Sequence, residues 1–163
     1  MSRPLLHVAI LGLLASTSCQ RPQPREHAAP PEPGVEAHDA RSARTAHYAL
    51  RVLDVVDCKS VGATAPADST RRLGVELSLE PFGDVQVPAN PYYARLVDEH
   101  QQVYEATLGA CGAPLSPTLP RRGQQARGYV VFDVPRDARH FTLLYMPPLV
   151  GAPTEEVSIA LGP

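Results

Sequence analysis

Apolar residues at every second position dominate the chain from Ala46 onward. The alternating apolar positions are Leu73, Val75, Leu77, Leu79, Val130, Phe132, Val134, Val157, Ile159 and Leu161. A period of two places one side of an extended strand in a core and the other side in water. No window of helical length has apolar residues three and four positions apart. The pattern therefore predicts an all-β fold.

Four further strands are predicted over residues 48–56, 92–97, 103–108 and 141–146, bounded by Pro, Gly, Asp or Asn. About seven short strands with turns between them favour an antiparallel β-sandwich, with a small barrel as the alternative. The polar residues 98–101 separate two apolar runs, so the second and third of these strands should pair as a hairpin.

The strand around Phe132 is apolar on both of its faces, because Tyr129 and Val131 accompany Val130 and Val134. A strand that is buried on both faces reads as a continuous apolar run. This run therefore predicts a central strand of its sheet.

The first 18 residues have the pattern of an export signal. Arg3 precedes an apolar run that is too short to span a bilayer, and small residues lead to Cys19. The segment resembles a bacterial lipoprotein signal, in which the cysteine becomes the lipidated first residue of the mature chain. Ser18 and Cys19 fit that pattern, whereas Ser16 stands where the family has Leu. We predict a signal peptide over residues 1–18 and lipid attachment at Cys19, with an ordinary secretory signal as the alternative.

Residues 19–45 are predicted to form a disordered tether between the lipid and the folded part. From Gln20 to Thr45 this stretch holds five prolines, many charged residues and a single branched aliphatic residue, Val35. It cannot bury enough apolar surface to fold. Residues 46–163 are enough for one domain with one core.

The predicted location is the bacterial cell envelope, outside the cytoplasm, with the membrane as a partner through the N-terminal lipid. The 15 Lys and Arg residues are outnumbered by 17 Asp and Glu residues. This balance argues against nucleic acid as a partner. A protein partner in the envelope or outside the cell is the remaining expectation.

The three cysteines support export, since an odd number is unusual for an exported protein unless one has another role. Lipidation of Cys19 leaves Cys58 and Cys111 to form a disulfide. The alternative is two unrelated buried thiols. A zinc site is disfavoured because neither cysteine has a second Cys or a His at the usual ligand spacing.

Two segments carry family-like motifs. Residues 93–104 are similar to an L-x-D-x-x-G-x-x-Y hairpin, except that His100 or Gln101 stands at the turn glycine. Residues 119–135 are similar to an L-x-P-G-x-x-x-x-G-x-V-x-F-x-V-P strand, followed by the strand at 141–145. Together they resemble the telokin-like, immunoglobulin-like domain of unknown function found in exported bacterial lipoproteins. The resemblance implies an immunoglobulin-like sandwich and carries over no catalytic residue.

Glycines in the second motif have a physical role. Gly123 would allow a tight turn before the strand, and Gly128 would allow another segment to approach closely. Pro135 would end the strand's hydrogen bonding.

No catalytic residue, metal ligand or cofactor is assigned, because the motifs of nucleophilic hydrolases, zinc proteases and phosphate loops are absent. Asp98, Glu99 and His100 are interpreted as a solvated hairpin turn rather than an acid–base cluster. Tyr92 and Tyr93 could form a contact patch, although alternation would turn one of them toward the core.

The function that these observations favour is a non-enzymatic binding or interaction module of unknown ligand. The alternative is a periplasmic protein that binds copper or zinc through His47 and His140, with Met146 as a soft ligand. A hydrolase with an unfamiliar site is the least favoured hypothesis.

Overall fold

A computed structural model describes residues 36–39, 41–58, 67–109 and 111–162. These residues contain nine β-strands and no α-helix. The strands are β1 Glu36–Asp39, β2 Ser42–Arg44, β3 Tyr48–Asp57, β4 Thr70–Pro81, β5 Ala94–Val97, β6 Val103–Glu105, β7 Ala126–Pro135, β8 Thr142–Tyr145 and β9 Val157–Ala160. In this part of the chain, no helix has the length and apolar character needed to cross a membrane.

The strands form two antiparallel sheets. The first has the order β1-β2-β3-β4-β7, and the second has the order β6-β5-β8-β9. One hydrophobic core draws on both sheets, with Leu77 and Phe132 from the first and Leu96 and Tyr145 from the second, all fully buried. The predicted all-β, antiparallel sandwich is therefore confirmed.

The hairpin predicted around residues 98–101 is present. β5 pairs with β6 through Arg95 with Glu105, Leu96 with Tyr104 and Val97 with Val103. β5 begins later than predicted, because Pro91–Tyr93 forms a 3-10 turn. Asn90 caps this turn, since its Oδ1 accepts a hydrogen bond from the Tyr92 amide at 3.0 Å.

The prediction that the strand around Phe132 is central is wrong. β7 is the last strand of its sheet and β4 lies between β3 and β7. The open edge of β7 is covered by the segment that precedes it: Thr107 N donates to Val131 O at 2.7 Å, and Tyr129 N donates to Ala113 O at 2.9 Å. Val131, on the face of β7 that is turned away from the core, is also only 4% exposed, so the strand is apolar on both faces without being central.

The folded part begins earlier than residue 46. β2 pairs with β3, with Ala43 opposite Leu50, and Ala43 is only 2% exposed. The sequence does not reveal β2, because a single small apolar residue between polar neighbours shows no periodic pattern. The open edge of β3 nevertheless offers backbone donors and acceptors that β2 satisfies. The predicted signal peptide, Cys19 and residues 19–35 of the tether lie outside the described residues.

Candidate functional site

Cys58 and Cys111 are joined in a disulfide, the pairing that the cysteine count predicts. Cys58 directly follows β3, and Cys111 lies between β6 and β7. Their Cα atoms are 5.0 Å apart, and 53 positions separate them in sequence. The bond fastens the segment before β7 to the first sheet. We call residues 107–109 and 111–115 the disulfide strap.

Two glycines leave room for the disulfide strap. A Cβ atom at Gly74 on β4 would lie 2.8 Å from Cys58 Sγ and would also overlap Cys111. A Cβ atom at Gly112 would lie 2.6 Å from the ring of Tyr129. Such distances are shorter than atoms tolerate, so the strap packs closely on the outer face of β4 and β7.

Arg72 is held in place beneath the strap and is only 6% exposed. Its Nε and Nη2 atoms donate to the two carboxylate oxygens of Asp133 at 2.8 and 3.0 Å. These hydrogen bonds raise the pKa of Arg72 against the opposing effect of burial. A bidentate pair of this kind satisfies both charges, so Arg72 and Asp133 fix the structure and are not available to a ligand.

A different group of basic side chains lies around a cavity at one end of the sandwich. Arg41, Arg71, Arg139 and His140 line a cavity of about 200 Å³. Arg41 precedes β2, Arg71 lies on β4, and the other two lie between β7 and β8. Asp57 is the one carboxylate among the described residues that line it. We call this cavity the basic pocket.

Arg71 is the most constrained cation of the basic pocket. Its Nη1 donates to Asp57 Oδ1 at 2.7 Å, and its Nη2 donates to the Ala138 carbonyl at 3.2 Å. Its guanidinium carbon lies 5.9 Å from the centre of the Phe141 ring. The Nε atom is buried and has no hydrogen-bond partner. The plane of the guanidinium is thus held while one donor is left unsatisfied.

The turn before β8 presents Arg139 and His140. Arg139 Nη1 donates to the carbonyls of Arg136 at 2.7 Å and Ala138 at 2.8 Å. His140 has a backbone φ of 52°, a left-handed conformation that non-glycine residues seldom adopt. Its Nε2 atom is 3.9 Å from Glu99 Oε2. Backbone strain of this kind often accompanies binding sites.

The hairpin tip is only in part the solvated turn that its sequence predicts. Glu99 and His100 are exposed, but Asp98 is only 6% exposed. Asp98 accepts hydrogen bonds from the amides of His100 and Gln102 at 2.8 and 2.9 Å, and from the Tyr104 hydroxyl at 2.8 Å. Burial opposes the charge of Asp98, but these hydrogen bonds outweigh it and lower its pKa. Asp98 is therefore a structural anchor of the turn.

We expect Asp98→Ala to lower the melting temperature by several degrees at pH 7, because three donors lose their shared acceptor. Since the pKa of Asp98 is lower in the folded state, the charge stabilises the protein above the unfolded-state pKa of about 3.9. This stabilisation is lost as the pH falls through the lowered folded-state pKa. Melting temperatures of both proteins from pH 7 to pH 2 test this. A difference that does not shrink in acid would contradict it.

Tyr92 and Tyr93 behave as alternation predicts. Tyr92 is 54% exposed, whereas Tyr93 packs edge-on against Tyr145 with ring centres 6.3 Å apart. Both line a second depression of about 150 Å³ together with Met146. The predicted contact patch is therefore limited to one exposed tyrosine beside the half-exposed Met146.

The residues of the metal-binding alternative do not form a common site in the described part of the chain. His140 lines the basic pocket, and Met146 lines the other depression. Among the described residues, no three His, Cys, Asp or Glu side chains are grouped so that they could hold a metal ion. The arginines around His140 would also repel a cation.

The basic pocket was not predicted from the sequence. Its arginines come from three separate parts of the chain, and nothing in the local pattern links them. The nearest sequence signal is the basic cluster Arg136, Arg139 and His140. A cluster of this kind alone does not distinguish a solvated turn from a binding site.

The fold and its strap define an antiparallel β-sandwich closed by one disulfide. No protein-family model matches the chain, and no curated protein matches its sequence. Membership of the telokin-like family is therefore not shown. Several solved structures share the fold at low sequence identity.

The first similar structure is YcdA, a lipoprotein candidate from Bacillus subtilis, with a TM-score of 0.65 and 13% identity. The match covers 76% of this chain but only 39% of YcdA. The YjhA protein of Bacillus subtilis has a TM-score of 0.56 and 21% identity, over 74% of this chain and 95% of that one. A protein of unknown function from Listeria monocytogenes has a TM-score of 0.54 and 12% identity, over 74% and 80%. At these identities the likeness shows the fold alone.

Proposed function

We propose that this protein is an extracytoplasmic, lipid-anchored binding module without enzymatic activity. The observation that carries the proposal is the disulfide between Cys58 and Cys111. Disulfides persist in oxidising compartments and are rare in the cytosol. The pairing also leaves Cys19 as the one remaining cysteine of the three, which is what lipid attachment requires. The fold likeness to the lipoprotein candidate YcdA supports the same location.

Binding fits the arrangement of charged groups better than catalysis does. General acid–base or nucleophilic catalysis requires a nucleophile and a base within hydrogen-bond reach. Asp98 is occupied by three hydrogen bonds, and Asp57 by Arg71. Among the described residues, the carboxylate nearest to His140 is that of Glu99 at 3.9 Å, too far for a good hydrogen bond. The basic pocket therefore supports recognition of a ligand.

The anchor is tested by the intact mass of the protein extracted from its native membrane. We expect a chain that begins at Cys19 and carries a diacylglyceryl group. Reduction should add about two hydrogens, since one disulfide is opened. The matched control is Cys19→Ser, which should remain unlipidated and leave the membrane fraction. An unlipidated mass for the natural chain in the membrane extract would overturn the anchor.

A protein in the envelope or outside the cell is the proposed partner of the anchored domain. Cross-linking in intact envelopes, followed by capture of the protein, tests this directly. The expected result is capture of a specific partner. The captured amount should fall when Arg41 and Arg139, both in the basic pocket, are replaced by Gln. Recovery of no partner above the background of an unrelated lipoprotein would contradict the interaction.

A further inference from the structure

We propose that the basic pocket binds a small organic oxyanion, a phosphate ester or carboxylate attached to a compact apolar group. This inference rests on the proposed binding function, but it does not depend on the anchor or on a protein partner. Three arginines, Arg41, Arg71 and Arg139, line a cavity of about 200 Å³ together with His140.

The charge balance of the pocket is the first argument. The chain as a whole has more acidic than basic residues, 17 against 15. The described residues that line the pocket include three arginines and one acid, Asp57, which is already paired with Arg71. Glu99, 3.9 Å from His140, is the other acid close to this group. Like charges brought together repel one another. A bound anion would relieve this repulsion.

The second argument is the fixed orientation of the Arg71 guanidinium. Asp57 and the Ala138 carbonyl hold its two terminal nitrogens at 2.7 and 3.2 Å. A guanidinium already fixed in orientation loses little freedom when it binds an oxyanion. An anion in the cavity would therefore meet a positive charge that is already in place.

The position of Arg71 on its strand explains why its side chain lines the cavity. Arg71 is two residues before Leu73, so the two side chains project from the same face of β4. Leu73 belongs to the core, and Arg71 occupies the point where the core face of the strand reaches the end of the sandwich. The pairing of β4 with β7 sets Arg71 opposite Val134, and the turn that carries Arg139 follows β7.

The floor of the pocket defines the rest of the ligand. Leu73, Phe141 and Leu161 line the cavity and belong to the hydrophobic core. A volume of about 200 Å³ is smaller than the roughly 300–1,000 Å³ of pockets for drug-sized ligands. The cations select an oxyanion, and the apolar floor favours a compact hydrocarbon or aromatic group attached to it.

Calorimetric titration of the purified full-length protein with phenyl phosphate tests the proposal. Benzoate serves as the carboxylate counterpart, phenol as the neutral one, and inorganic phosphate as the anion without an apolar group. We expect Kd values on the order of 1 mM for the two aromatic anions. Inorganic phosphate should bind at least about tenfold more weakly, and phenol should show no measurable binding.

Substitutions inside and outside the basic pocket test whether the ligand binds there. Arg139→Gln and Arg41→Gln should each weaken phenyl phosphate binding about tenfold, since each removes one charged contact. The control is Arg122→Gln, an exposed arginine outside the pocket whose loss removes the same charge. Binding that is unchanged in both pocket variants, or lost equally in the control, would overturn the proposal. So would the absence of binding by both aromatic anions, and that result would leave the membrane mass and cross-linking tests unaffected.

Discussion

Replacing both Cys58 and Cys111 by serine is expected to lower the free energy of unfolding by about 4 kcal/mol, the value that a separation of 53 residues gives for loop entropy. The bond closes a loop that contains β4, β5 and β6. Without it, the unfolded chain gains freedom. The disulfide strap also loses its covalent attachment to the end of β3.

The measurement is unfolding in denaturant of three samples: the oxidised natural protein, the same protein after reduction, and the double serine variant. The reduced protein and the double serine variant should have the same unfolding midpoint, at a lower denaturant concentration than the oxidised natural protein. Cys19→Ser is the matched control, because it removes a cysteine without touching the disulfide and should unfold like the natural protein. A change below about 1 kcal/mol in the double variant would show that the bond does not constrain the chain in this way.

Gly128→Ala is expected to destabilise the protein by about 3 kcal/mol, near the upper end of the usual cost of overfilling a packed site. A Cβ atom at Gly128 on β7 would lie 2.5 Å from the carbonyl carbon of Pro114 and 2.6 Å from Leu115 Cα. These are backbone atoms of the strap and cannot rotate away. Two hydrogen bonds also hold them: Leu115 N to Tyr129 O, and Tyr129 N to Ala113 O, both at 2.9 Å.

Gly83→Ala is the matched comparison for Gly128→Ala. Gly83 has a φ of 86° and nothing within 4 Å of the position of an added Cβ. Alanine there meets only backbone strain, which costs about 1–2 kcal/mol. Thermal or denaturant unfolding should therefore rank Gly128→Ala as clearly the more damaging change. Equal losses for the two variants would mean that the close approach of the strap is not what Gly128 provides.

The role of Gly128 was accessible from sequence, and so was the turn at Gly123, which has a φ of 78°. Both glycines lie at fixed distances from a strongly apolar strand, so their local context defines their role. The same holds for the hairpin between β5 and β6, whose polar tip separates two apolar runs. At the tip, Gln101 adopts a φ of 63°, a conformation that glycine adopts most readily.

The burial of Asp98 could not be predicted from the local sequence pattern. A polar triplet between two strands is typical of a solvated turn, and Glu99 and His100 follow that expectation. Asp98 is buried because Tyr104, six residues later, comes across the hairpin and donates to it. Its environment depends on how the two strands align, which composition does not encode.

The strands that lie toward the edges of the first sheet, β2 and β7, could not be identified from the sequence for a related reason. The order of strands in a sheet is a long-range property, and an apolar run on both faces does not reveal what covers it. β7 is covered by the disulfide strap rather than by another long strand. β2 is held by the free edge of β3, and its own sequence contributes little beyond Ala43.

The sequence by itself determined the all-β class, the hairpin, the disulfide partners and the overall alternation of buried and exposed positions. These follow from periods of a few residues and from a count of cysteines, which need no knowledge of distant contacts. The tertiary structure alone decided that Arg41, Arg71 and Arg139 meet at one cavity. Strand pairing brings together residues that are far apart in the chain. A charge cluster made in this way leaves no local periodicity to detect.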